Sequence, residues 1–331
     1  MRLGIIGTGR IAKRAVKELS FVDGIDVTAV LNRNLDHAEK FIEDNGMKAK
    51  AFSDISEFAD AIDAVYVASP HGSHASYVRQ MLGFGKHVIC EKPMCLTEIE
   101  AKEMFDMAFD KKLVLMEAVK TEFAPGFKKI SEVVESGVIG EVVDVEAAFT
   151  RLSEPHGREF DDTEFGGSFT EFGTYCLLPV LRFLGTDYSD VRFMSIPTES
   201  GVDGYSKVVF AYEDKSNGTG RDDGISVIRK IGAAKTGLTA KSEGQLLISG
   251  TKGYVLVPSP WWLTKYFEVR YEDPTKIDKY ECEFLGDGLR YEFTEFERRV
   301  SCGEVANSQR DEAVARARVF EEFLKSRKNF R

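Results

Sequence analysis

The sequence predicts an α/β fold in two parts: an N-terminal doubly wound parallel sheet, then an α+β domain with an open, mostly antiparallel sheet. Three observations predict it. Up to about residue 120, short apolar runs alternate with helical stretches at βαβ spacing, which gives parallel strands. From Gly140 the period becomes two, with Val143, Val145, Ala147 and Phe149 set against Asp144, Glu146 and Ala148. At 331 residues, the chain is also too long for one comfortable core. The expected division is 1–120 for a dinucleotide-binding domain and 121–331 for a substrate-binding and oligomerisation domain.

Residues 3–6 form a short apolar strand that breaks into Gly7-Thr8-Gly9-Arg10-Ile11-Ala12, after which Ile11, Ala15, Val16 and Leu19 recur at helical spacing. Strand, glycine turn and helix in that order make a Rossmann fingerprint. The first glycine permits the tight turn, the second lets the backbone approach a pyrophosphate, and the third small residue lets helix pack on strand. Gly7, Thr8, Gly9, Arg10 and Ile11 are therefore expected at a dinucleotide. The next strand, 27–31, ends in Asn32-Arg33, where an NAD-specific chain carries an acid for the ribose 2′-hydroxyl. Asn32 can hydrogen-bond a ribose and Arg33 can pair with a 2′-phosphate, so NADP is expected in preference to NAD.

A helix over 35–44 and a strand over 62–68 follow, the latter ending in Ser69-Pro70-His71-Gly72-Ser73-His74 before a helix to about 82. Two histidines without a third ligand at coordinating spacing do not make a metal site, so none is expected, and Ser69, His71 and His74 are read as cofactor-side contacts. The next strand stops at Glu91-Lys92-Pro93. Ligands collect at the carboxyl ends of strands in open α/β sheets, and proline turns the preceding residue away from helix. Glu91 and Lys92 are therefore expected at the crevice, with the ammonium pointing into it. After a strand over 113–117, residues 121–125 lead out of the domain.

Strands of the second sheet are expected at 206–212, 225–231, 245–249, 254–257, 267–271 and 280–284. A helix from Gly166-Gly167 to 184 interrupts them and puts Glu171 and Tyr175, four apart, on one face. Residues 215–223 read as a mobile polar loop, and a last helix over 308–325 has Ser308 as its cap.

A formal charge of −10 argues against a nucleic-acid partner, which would call for a basic stripe. No apolar run approaches bilayer length, and residues 1–7 enter a strand without a small-residue cleavage site, so a cytoplasmic protein with no membrane partner is expected. The five cysteines are scattered, and reduced thiols are expected.

Gly7-x-Gly9-x-x-Ala12, the run Gly85-Lys86-His87-Val88 into Glu91-Lys92-Pro93, and Gly166-Gly167 followed by Glu171-x-Gly173-x-Tyr175 together resemble the Gfo/Idh/MocA oxidoreductase family. The resemblance spans essentially the whole chain, and Tyr175-Cys176, Met116-Glu117-Ala118 and His71 look most like its dihydrodiol dehydrogenase branch. It implies a nicotinamide cofactor, oxidation or reduction of a sugar, cyclitol or similar polyol, and Lys92 and Tyr175 as the catalytic pair. Two departures stand out: Glu171 occupies the position of a common Asp, and Glu122 that of a common Arg.

Chemically, Tyr175 can carry the hydroxyl proton if a cation such as Lys92 lowers its titration from near ~10, and Glu171 can hold Lys92 or a substrate hydroxyl. The alternatives are a glycosidase using transient redox and a nucleotide-sensing protein without turnover. Trp261-Trp262 reads as sheet packing, and His156 as a candidate substrate contact. An open sheet with apolar alternation needs cover, so a homodimer or homotetramer is expected.

Overall fold

The computed structural model describes residues 1–213, 227–305 and 309–327. The loop expected at 215–223 and the cap expected at Ser308 lie outside them. The chain divides into two compact units, Met1–Phe123 with Leu285–Arg318, and Ala124–Phe284 with Val319–Arg331.

The first unit begins with β1 (Arg2–Ile6), α1 (Arg10–Leu19), β2 (Asp26–Leu31), α2 (Leu35–Asp44), β3 (Lys50–Phe52), α3 (Ile55–Asp60), β4 (Ala64–Val67), α4 (His74–Gly83), β5 (His87–Glu91), α5 (Glu98–Asp110), β6 (Leu115–Ala118) and the single turn α6 (Lys120–Phe123). All six strands run parallel in the order β3-β2-β1-β4-β5-β6, the doubly wound Rossmann arrangement. Helix starts are written locally. Asn34 accepts from Asp36 N, Asp54 from Ser56 N and Glu57 N, and at α5 Thr97 Oγ1 accepts from Glu100 N and donates to Glu100 Oε2.

The second unit holds α7 (Pro125–Glu135), β7 (Val142–Thr150), the turn α8 (Arg158–Asp161), α9 (Ser168–Leu184), β8 (Asp190–Pro197), β9 (Asp203–Glu213), β10 (Ile228–Gly237), β11 (Leu246–Gly250), β12 (Tyr254–Val257), β13 (Tyr266–Arg270) and β14 (Ile277–Glu281). Its sheet, β14-β13-β12-β11-β7-β10-β9-β8, is antiparallel except where β7 and β10 pair in parallel. Across it runs a buried row, Phe210, Gly232, Val145, Ile248, Val255 and Val269, in register strand to strand. α9 lies on that side, close enough that a Cβ on Gly232 would come within 2.7 Å of Val180. One residue along, the row Val209, Ala233, Glu146, Leu247, Leu256 and Glu268 faces the other way and is at least partly exposed.

The chain then returns to the first unit with α10 (Leu289–Cys302), while α11 (Arg310–Arg327) is shared between the units. The sequence division at 120/121 did not foresee this return. Its cause is burial on both faces of the parallel sheet. Leu289, Phe293 and Phe296 of α10 join the cluster around Leu3, Ile5, Ala12 and Ile89, and Ala313, Val314 and Ala317 of α11 join the cluster around Val65, Val78 and Met104. The strand expected at 225–231 runs instead over Ile228–Gly237, and that expected at 280–284 over Ile277–Glu281. All five cysteines are free thiols, and no helix among the described residues is long and apolar enough to cross a membrane.

Candidate active site

At the end of β1 the chain turns through Gly7, whose φ of 101° suits glycine, and a Cβ there would come within 2.6 Å of Ala68 O just past neighbouring β4. Gly9 is different. Its φ is ordinary and a Cβ on it would meet nothing within 4 Å, so nothing in the chain demands glycine. That open position fits the role of the second glycine in a dinucleotide turn, where a ligand approaches the backbone. α1 begins there with no side-chain cap and no acid in its first turn, which leaves its N–H groups and positive dipole end to an anion. Ala12 is fully buried and lets α1 close on the sheet. These residues fit a dinucleotide pyrophosphate.

Asn32 departs from expectation. Its side-chain amide donates to Thr8 Oγ1 at 2.8 Å, and its carbonyl oxygen accepts from Asn34 N at 3.0 Å, so it ties the glycine turn to the start of α2. Arg33 beside it is exposed.

Ser69 is half-buried at the end of β4 and its hydroxyl accepts from Ser73 at 2.7 Å, with His71 nearby and likewise half-buried. His74, expected at the cofactor, has both ring nitrogens on backbone oxygens of the chain. It is fully buried, with Nδ1 2.9 Å from Pro93 O and Nε2 2.7 Å from Ser69 O, so it braces the end of β4 against the turn carrying Lys92. Glu91, expected at the crevice, turns inward with one oxygen, accepting from Tyr66 Oη at 2.6 Å. Burial raises the Glu91 carboxyl, opposed by the charge of Lys92, the Tyr66 hydroxyl and the charge of Lys120. Burial pushes Tyr66 up as well, so the phenol keeps the proton it donates.

Lys92 follows at the carboxyl end of β5, 9% exposed and joined to Pro93 by a cis peptide. Behind it, Met94 N donates to Glu117 Oε1 at 3.0 Å, and Arg316 of α11 reaches Glu117 Oε2 with Nε at 2.9 Å and a terminal nitrogen at 2.6 Å. Glu122, which stands where an arginine was expected by resemblance, accepts from Gln309 at 2.6 Å and helps hold the Arg316 charge. Its carboxylate is buried in the first unit, so the exchange bears on packing around Arg316.

In the second unit, every residue of α9 from Ser168 to Leu181 is buried except two, Glu171 and Tyr175. Over those residues the i,i+4 pair read from sequence is what the helix leaves partly exposed, and Arg182 and Phe183 follow at its far end. Gly173 between them lets the helix approach Phe320, 3.2 Å from a Cβ placed there. Glu171 pairs with Arg158 of α8 at 3.4 Å. Tyr175 packs on Phe149, which stacks between Phe172 (centroids 4.4 Å) and Trp262 (3.6 Å). Trp261 does the sheet packing expected of the pair, fully buried with its N–H on Ala148 O at 3.0 Å, whereas Trp262 joins the aromatic wall beside Tyr175. Adjacent tryptophans on a turn must face different ways, and that was the available signal for Trp262. His156 is exposed ahead of α8. No group of three His, Cys, Asp or Glu among the described residues is arranged to hold a metal.

The start of α9 is held by Asp203. Its Oδ2 accepts from Ser168 Oγ at 2.7 Å, Phe169 N at 2.8 Å and Ser206 Oγ at 2.9 Å. Gly167, at φ 107°, makes room, since a Cβ would overlap Asp203 Oδ1.

Residues 1–119 match the family described as "Oxidoreductase family, NAD-binding Rossmann fold" and residues 127–256 the Gfo/Idh/MocA C-terminal domain, so the chain belongs to the Gfo/Idh/MocA oxidoreductase family. It is 33% identical over 223 residues to the scyllo-inositol 2-dehydrogenase (NADP(+)) IolU of Bacillus subtilis, covering 64% of this chain and 67% of that one. It is 30% identical over 264 residues to trans-1,2-dihydrobenzene-1,2-diol dehydrogenase of Xenopus laevis, covering 78% and 76%. Its fold matches KijD10, a 3-ketoreductase of Actinomadura kijaniata in complex with TDP-benzene and NADP, with a TM-score of 0.78 at 22% identity over 97% and 96% of the two chains.

Asp203 sets a pH dependence. Burial raises its carboxyl despite the three donors, so its contribution to stability is present below the unfolded carboxylate value near ~3.9 and is lost as pH rises through the higher folded value. Urea unfolding of wild type and Asp203→Asn at a series of pH values from about 4 upward should show wild type losing ground to the variant by about 1.4 kcal/mol for each unit of that elevation. A difference independent of pH would assign the site no titration.

Proposed function

We propose that this member of the Gfo/Idh/MocA family is an NADP-preferring dehydrogenase or reductase that moves hydride between nicotinamide and a secondary alcohol of a sugar, cyclitol or dihydrodiol. The observation that carries the proposal lies in the first unit. The open position at Gly9, the uncapped start of α1 and Lys92 all stand at the carboxyl ends of parallel strands, where such a sheet binds its ligand. The named relatives act on an inositol and a dihydrodiol, which supports the substrate class.

Gly7, Thr8, Gly9, Arg10 and Ile11 would hold the pyrophosphate, and Arg33 the 2′-phosphate. The nicotinamide, when bound, takes or gives the hydride. In the proposed chemistry Tyr175 exchanges the hydroxyl proton with the substrate, Lys92 supplies positive charge that favours the phenolate and orients the hydroxyl, and Glu171, paired with Arg158, fixes the substrate's neighbouring hydroxyl. A panel of polyols, sugars and dihydrodiols with both cofactors tests the reading. Absorbance change at 340 nm supports it, and bond hydrolysis without net cofactor turnover would replace it with the transient-redox glycosidase.

We also propose self-association through the open face of the second sheet, where Met194, Ile196 and Ile231 are 59%, 62% and 47% exposed. Light scattering at micromolar concentration should give a dimer or tetramer mass, and a monomer mass would refute it.

For the cofactor, Arg33→Ala should weaken NADP(H) binding by roughly 10- to 100-fold, the worth of a charge-assisted hydrogen bond, and leave NAD(H) nearly unchanged. Equal losses for both would remove Arg33 from the 2′-phosphate.

For catalysis, Lys92→Ala and Tyr175→Phe should each lower kcat by at least about 10²-fold, with cofactor affinity weakened only by the lysine change. Because both act on one proton, the double variant should lose far less than the product of the single losses. Near-normal turnover in Tyr175→Phe would move the proton role to Glu171 or His156.

A further inference from the structure

The loop between α8 and α9 is held by an acid at its own start and a base from the far end of the chain. Its N–H groups turn back to α8 and the residue after it: Asp162 Oδ1 accepts from Glu164 N at 3.1 Å and Phe165 N at 2.9 Å, Asp162 O from Gly166 N at 2.7 Å, and Glu159 O from Gly167 N at 2.8 Å. Its carbonyl oxygens converge instead on Arg327, in the last turn of α11. One terminal nitrogen of that guanidinium donates to Gly166 O at 2.7 Å, and the other to Thr163 O at 2.9 Å and Glu164 O at 2.6 Å. A planar fork with fixed N–H directions serves carbonyls spread along a turn, which a point-like ammonium does less well. Arg327 and this loop belong to the same compact unit.

The glycine pair lets the loop lie so. A Cβ on Gly166 would come within 2.4 Å of Asp162 O and 2.9 Å of Glu159 O, so the segment rests directly on the carbonyl end of α8. Each flanking helix also has an anchor of its own. α8 is held through Phe160, which is buried and whose carbonyl accepts from Ser200 Oγ at 2.6 Å, and α9 is held through Asp203. Loss of Arg327 would therefore free the loop and leave both helices in the fold. What would change is the bearing of α8, a single turn with little stability of its own, and α8 carries Arg158, the partner of Glu171 at 3.4 Å.

We propose that Arg327 is a positioning residue for substrate binding: it fixes the loop on which α8 rests, and so aims Arg158 and, through it, the Glu171 carboxylate. This rests on the reading of Glu171 as the group that fixes a substrate hydroxyl.

Amide hydrogen exchange of the full chain, followed residue by residue by NMR, tests the loop without any substrate. In Arg327→Met, exchange at Gly166 and Gly167 should quicken by at least about 10-fold, the worth of one charge-assisted hydrogen bond, while Phe169 N, held by Asp203, keeps its wild-type rate. Unchanged loop rates overturn the proposal, and so does a common acceleration that includes Phe169, which would make Arg327 a prop of the whole unit. Should Arg327→Met fold poorly, Arg327→Lys serves, with the same pattern expected at smaller amplitude.

With a substrate from the panel, Arg327→Met should raise KM by roughly 10-fold and leave kcat and NADP(H) affinity in place, because what Glu171 supplies is uniform substrate binding. Arg327→Lys should recover part of the loss. Adding Arg158→Ala to Arg327→Met should cost little more than the larger single change, since both act on one carboxylate. Losses that multiply, or a kcat that falls with KM unmoved, overturn the proposal. Glu171→Ala separates the two readings: a KM that it leaves unmoved refutes Glu171 as a substrate contact, whereas a KM moved by Glu171→Ala and not by Arg327→Met refutes the role given to Arg327. An empty panel refutes the oxidoreductase reading and leaves Arg327 to be judged by the exchange rates.

Discussion

The first unit depends on a buried ion pair that lies behind its functional strand end. Arg316 and Glu117 are 1% and 4% exposed, and Glu117 spends one oxygen on the guanidinium and the other on Met94 N. Removing either partner of such a pair costs about 3–5 kcal/mol, because the survivor is a bare charge in a dry interior. The first half of α11 must therefore stay docked for β6 and the turn after Lys92 to keep their shape. His74 secures the same turn from the β4 side through Pro93 O, so the backbone on either side of this lysine is fixed by groups that do not themselves reach solvent. A lysine has four rotatable bonds, and rigidity of the segment that bears it limits where its ammonium can go.

The second unit solves the same problem with packing. Almost all of α9 is buried against the sheet and α11, and its start is held by a buried carboxylate. A helix fixed so has little freedom to rotate, and Glu171 and Tyr175, which escape burial in its first half, are presented in a set direction. The stack Trp262–Phe149–Phe172 stiffens the wall next to the tyrosine. In both units the groups proposed for chemistry sit on elements whose own positions are over-determined, as preorganised catalysis requires.

What the sequence made legible was what has a period or a forced backbone. Parallel and antiparallel halves followed from spacing, Gly7 from its turn, and the Glu171–Tyr175 face from i,i+4. What it hid was partnership at long range. His74 and Asn32 have the chemistry of cofactor contacts, and only the fold shows that Pro93 O, Ser69 O, Thr8 and Asn34 take up their polar atoms. α10 was missed although Leu289, Phe293, Phe296 and Val300 recur at helical spacing, and its place in the chain after the second sheet hides its return to the first. Glu122 looked like a lost positive charge until Arg316, almost two hundred residues later, was seen beside it.

The fate of Asn32 bears on how such a turn can distinguish two cofactors. An acid at the end of β2 selects by doing two things at once, binding a ribose hydroxyl and repelling a phosphate. Here the residue is an uncharged amide whose two polar ends are bonded to Thr8 and Asn34. It therefore does not repel a phosphate. By linking the glycine turn to the first residues of α2, however, it fixes the backbone from which the next side chain departs, and that side chain is the exposed Arg33. On the proposed reading, discrimination passes from the strand-ending residue to its neighbour. Asn32 then contributes to selectivity only by holding that neighbour's backbone in place.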